Sequence, residues 1–69
     1  MSADSTIIEG IVKRETDLAV LIAVDGDYRN EHWIPKSQIS WESTGGLYEI
    51  GETIELEIPE WMAEKNGLK

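Results

Sequence analysis

The chain has no cysteine and no phenylalanine, a single histidine (His32), and only 6 basic side chains against 14 acidic ones. Without cysteine there is no disulfide framework and no thiolate metal site. One histidine cannot build a histidine-rich metal centre. As a general base it would need a nucleophile or a substrate pocket beside it, and no motif announces either. Scarce lysine and arginine oppose binding to phosphate backbones, which relies on clustered positive charge. Long apolar runs are missing too. The longest is Leu18 to Val24, far short of the roughly 20 residues that span a bilayer. The polar start, Met1 to Thr6, lacks a basic segment followed by an apolar one. The expected location is therefore cytoplasmic, with no membrane partner.

Catalytic motifs are equally scarce. There is no Gly-rich phosphate loop, nucleophile elbow or paired-histidine metal motif. Asp25 and Asp27 flank Gly26 as at the start of a calcium loop. The further ligands and the downstream glutamate at fixed spacing do not follow. Glu55 and Glu57 alternate with apolar residues, the pattern of a solvated strand face. The expectation is a non-enzyme with no cofactor and no metal.

What remains is a 69-residue chain with a formal charge of −8, one domain at most. So short a chain buries only about 60% of the surface it exposes when unfolded, so its stability is expected to be marginal, and pairing with a second copy is one way to raise it. The core candidates are aliphatic: Ile7, Ile8, Ile11, Val12, Val20, Leu21, Ile22, Val24, Ile34, Ile39, Leu47, Ile50, Ile54, Leu56 and Ile58.

Residues 1–5 read as a disordered N-terminus and 6–69 as a single small β domain. Thr6 to Thr16 reads as a long strand, with Gly10 marking a bulge or bend. Leu18 to Val24 is a β-branched run bounded by turn signals, suited to a central strand. Asp25-Gly26 is a hairpin signal. Tyr28 to Ile34 reads as the next strand, with Arg29, Glu31 and Trp33 outward or, if the register slips, the alternate set, and Pro35 ends regular pairing. Lys36-Ser37-Gln38 suits a 3₁₀ turn, Ile39 to Glu42 a short strand, and Ser43 to Gly46 a loop. Leu47 to Ile50 is a short apolar segment before a Gly51-Glu52 turn. Thr53 to Ile58 is the cleanest strand, with Ile54, Leu56 and Ile58 on one face. Pro59 to Asn66 reads as a terminal helix with Pro59 at its start and Gly67 in the left-handed position at its end. Trp61 and Met62 would dock on the sheet. The expected fold is mostly β: a small SH3-like or OB-like barrel of about five strands with a short C-terminal helix.

The aromatic residues carry the binding expectation. Trp33 and Trp41 flank the segment Ile34 to Ser40. Both suit a core. Exposed, they would form with Tyr28, Lys36 and Gln38 a stacking surface for bases or a pocket for a peptide. Tyr28, Trp33, Lys36, Gln38 and Trp41 are the candidate binding residues.

Two spaced motifs are familiar together. One is His32-Trp33-Ile34-Pro35-Lys36-Ser37-Gln38-Ile39. The other is Leu56-Glu57-Ile58-Pro59-Glu60-Trp61-Met62-Ala63-Glu64-Lys65-Asn66-Gly67-Leu68. With Leu18 to Gly26 upstream, the chain resembles a family of small phage and prophage proteins over roughly residues 18–68. It departs from that pattern in Tyr28-Arg29-Asn30, which lengthens the hairpin tip. The resemblance implies a phage or mobile-element origin and proximity to DNA metabolism, and it implies no catalytic residue. The leading expectation is an accessory binding module for a protein or a nucleic-acid-processing complex. One alternative is an acidic nucleic-acid mimic that inhibits a host DNA-binding enzyme through Glu49, Glu52, Glu55, Glu57, Glu60 and Glu64. Another is weak single-stranded nucleic-acid binding through Trp33, Lys36 and Trp41. Duplex DNA is not an expected partner.

Overall fold

Strand β1 (Ser5–Glu15) organises the sheet, because both halves of the fold share it. The structure, a computed structural model, describes residues 4–25, 27 and 29–68. After β1 come β2 (Ala19–Val24), β3 (Glu31–Pro35), a 3₁₀ turn (Lys36–Gln38), β4 (Trp41–Glu42), β5 (Thr53–Pro59) and helix α1 (Glu60–Lys65). The five strands form one antiparallel sheet in the order β3-β2-β1-β5-β4. The first half of β1, Ser5 to Ile11, pairs with β5, and the second half, from Gly10, pairs with β2. Each remaining pairing joins strands consecutive in the chain, while β3 and β4 lie at the two edges. This is a mostly β domain with a short C-terminal helix, consistent with a small barrel-like fold.

Curvature enters β1 in two ways. A register shift between Val12 and Arg14 places the β-bulge one turn of pleat beyond Gly10, not at the glycine itself. Gly10 serves close approach instead. A Cβ there would lie 2.3 Å from Ile22 Cγ2 and 2.7 Å from the Ala23 carbonyl oxygen, so no larger residue fits without moving β2.

One face of the sheet is the core. Ile8, Val12, Val20, Ile22, Val24, Ile34, Ile54, Leu56 and Ile58 are buried there, and Met62 and Ala63 of α1 cover them. Burying each of these larger aliphatic side chains stabilises the fold by roughly 1.5–3 kcal/mol. Helix α1 ends as its glycine requires. Gly67 takes φ 70°, its N–H donates to the Glu64 carbonyl at 3.1 Å, and the Leu68 N–H donates to the Ala63 carbonyl at 2.7 Å. That pair of bonds is a Schellman cap, and Leu68 folds back against the core.

Several expectations are corrected. Ile7, Leu47 and Ile50 are exposed and Ile11 is half-buried, whereas Ile39 is partly buried and packs against the core. Ile7 and Ile8 are neighbours on a strand, so only one can face the core. Leu47 and Ile50 lie in the β4–β5 loop, where no pleat aims them inward. Trp61 does not dock on the sheet. It occupies the outer side of α1 while Met62 and Ala63 take the inner side. Ser5 is the first residue of β1: its hydroxyl donates to Glu57 Oε2 at 3.0 Å, and the Glu60 N–H donates to the Asp4 carbonyl at 3.0 Å.

Candidate functional site on the outer sheet face and its open edge

The hydrogen-bond phase of β3 follows from two bonds. The Val24 N–H donates to the Asn30 carbonyl at 3.0 Å, and the Lys36 N–H donates to the Leu18 carbonyl at 2.8 Å. With Ile22 opposite His32 and Val20 opposite Ile34, the even-numbered residues of β3 aim their N–H and C=O groups at β2. In an antiparallel ladder the alternate residues aim theirs the other way. Glu31, Trp33 and Pro35 therefore turn their backbone groups to the unpaired edge. Proline is tolerated at 35 for this reason: the N–H it lacks is not part of the ladder. Beyond the ladder, no backbone hydrogen bond among the described residues involves Glu31 or Trp33.

Register also fixes which side chains share the outer face. Trp33 stands opposite Leu21, which stands opposite Arg14. Glu31, Ala23, Ile11 and Thr53 form a second row. Trp41, Glu57 and Ile7 form a third. Trp33 is 48% exposed and Trp41 46%, so both candidates lie on the surface. They occupy β3 and β4, the two strands at opposite ends of the strand order. Between them, Glu9 and Glu55 stand directly opposite each other, a like-charge pairing that costs stability.

Lys36 is not part of that face. Its Nζ lies 2.6 Å from Glu15 Oε2 and 5.5 Å from the Tyr48 ring centroid. The Tyr48 hydroxyl points to Glu42 Oε2 at 3.4 Å. These four side chains bring the end of β1, the 3₁₀ turn, β4 and the β4–β5 loop together where β3 and β4 fail to pair. Partial burial, reinforced by the Glu42 and Glu15 carboxylates, pushes the Tyr48 hydroxyl up from 10.0 to about 12. Gln38 is half-buried on the 3₁₀ turn. Tyr28 lies outside the described residues. Sequence reasoning missed Glu15 and Tyr48, which reach Lys36 only through the fold, and Ile7, which was assigned to the core and is exposed; Leu21, also assigned to the core, is buried, though its register places it opposite Trp33.

A cavity of about 310 Å³ lies beside the β4–β5 loop, lined by Ser43, Thr44, Leu47, Glu49, Glu52, Thr53 and Ile54. None of the candidate binding residues lines it. Among the described residues no group of three histidine, cysteine or acidic side chains is placed to hold a metal, and no helix is long and apolar enough to cross a membrane. Comparison with family models, curated proteins and solved structures finds no match to this chain.

Proposed function

We propose that this chain is a non-enzymatic accessory binding module, of phage or prophage type, that docks on a protein partner in a bacterial cytosol through the outer face of its sheet. The observation that supports this reading is the placement of Trp33 and Trp41. Both project from the outer face, Trp41 in the same row as the exposed Ile7 and Trp33 over the buried Leu21, although a chain so short has every reason to bury its largest apolar side chains. Exposed aromatic residues that give up burial are the usual anchors of protein recognition.

The other two readings have weaker support. A single-strand binder needs a cation beside its aromatic platforms, and Lys36 is engaged by Glu15. A phosphate mimic needs free carboxylates, and Glu57 accepts hydrogen bonds from Ser5 and Ser40.

The test is site-specific photocrosslinking in bacterial cytosol. A photoreactive phenylalanine at position 33 or 41 is expected to capture one discrete protein, and the same group at the exposed Asp17 is expected not to. Capture of nucleic acid at 33 and 41 would move the assignment to single-strand binding. An identical background from all three positions would remove the reading.

A further inference from the structure

We propose that the open edge of β3 accepts an extended segment of the partner as a sixth strand, and that this segment carries basic residues at alternate positions around an apolar one. The inference rests on the binding-module reading and adds where and what the module binds.

The edge has the required backbone groups. Glu31 and Trp33 present an N–H and a C=O each to the open side, and Pro35 adds a carbonyl. Two residues that expose both groups two positions apart are the minimum template for strand addition. Pro35 sets one limit, because it cannot donate. Past it, the Lys36–Glu15 pair and Tyr48 fill the seam with side chains. The open stretch is therefore short and belongs to β3 alone. The opposite edge, β4, has two residues and offers less.

The side-chain preference follows from the pleat. Incoming residues directly opposite Glu31 and Trp33 share the outer face with them. A lysine or arginine opposite Glu31 forms an ion pair, and one opposite Trp33 sits against an indole face, the most favourable aromatic surface for a cation. The residue between them falls on the inner side, next to the half-buried His32 and the buried Ile34, where an apolar side chain fits. A second copy of this chain is a poor occupant. Like-for-like addition at β3 would bring Glu31 and Asp27 of one molecule towards those of another, in a protein of charge −8. Charge selects a basic strand instead.

The experiment is selection of a random displayed peptide library on the immobilised full-length chain. The expected consensus has lysine or arginine at two positions flanking an aliphatic residue. Binding of the selected peptide is expected to fall at least tenfold in Glu31→Pro, which removes an outward N–H and leaves the β2 ladder intact. In Glu31→Lys the preference at one position is expected to shift from basic to acidic. Hydrogen exchange on the unsubstituted chain covers the case in which a proline variant fails to fold: the amides of Glu31 and Trp33 are expected to slow at least tenfold when peptide is added. A consensus without basic residues, or exchange at 31 and 33 that peptide does not alter, overturns the inference. If selected peptides instead protect Ile7 and the β4 edge, strand addition at β3 is wrong while the binding-module reading stands. If no peptide is enriched and the photocrosslinks capture nothing, both fall.

Discussion

At the residue scale, Gly10 is where the fold has least tolerance. Its backbone lies so close to β2 that an added Cβ would overlap both Ile22 Cγ2 and the Ala23 carbonyl oxygen. A side-chain neighbour can rotate aside, but a ladder carbonyl cannot, so the strain must be taken up by separating the two strands that carry the core. Gly10→Ala is expected to destabilise the domain by about 3 kcal/mol, the upper end of overpacking costs. The check is the denaturant midpoint, and an unchanged midpoint would show that β1 and β2 are farther apart in solution. Gly67 is a glycine for a different reason: its surroundings are open, and only its left-handed φ matters.

At the scale of elements, the seam between β3 and β4 is the feature without a backbone solution. Side chains close it, through Lys36, Glu15, Tyr48 and Glu42. Tyr48 must stay neutral to do so, since its ionised form would face two carboxylates. Its folded pKa of about 12 lies above the ordinary 10.0. A raised pKa means that the folded state holds the proton more tightly than the unfolded one. The contribution is complete below pH 10 and is lost as pH rises towards 12. The stability of the unsubstituted chain is therefore expected to fall through that window. Tyr48→Phe is expected to flatten the fall, as measured by denaturant midpoints at pH 9 and 11. Equal slopes for the two proteins would detach Tyr48 from the seam. The strand pattern itself was legible in the sequence. Alternation at Thr53 to Ile58, the Leu18 to Val24 run and the punctuation by Pro35 each correspond to an observed element. Leu47 and Ile50 were not legible, because a loop has no period from which to infer a direction.

At the scale of the whole molecule, charge governs what can approach. Of the 6 basic residues, Lys36 is paired with Glu15, and Arg14 lies on the sheet opposite Leu21, distant in register from Arg29 at the hairpin tip. Duplex binding gains free energy in proportion to the phosphates neutralised, and 14 carboxylates oppose it. No binding to a fluorescently labelled duplex is expected at physiological salt in an anisotropy titration. Tight binding that weakens steeply with salt would contradict the assignment of a protein partner. The same negative field acts against self-association at the β3 edge, although a short chain with an open strand is otherwise prone to it.

The sequence by itself determined the elements and their inner faces. Pleat and helical period are local properties, so Ile54, Leu56 and Ile58, the Pro35 stop and the Gly67 cap could be read from neighbours along the chain. Only the tertiary structure decided what those elements meet. The pairing of Lys36 with Glu15 spans 21 positions, and the placement of Trp33 and Trp41 on the two edge strands depends on strand order, which no local pattern encodes. The open edge of β3 belongs to the same class. Residue 35 could be seen to break pairing from its chemistry alone, but that Glu31 and Trp33 face outwards depends on the phase of a ladder built with β2. Phase and order are set by long-range packing of the core, and they turn an exposed tryptophan and a glutamate into a candidate site.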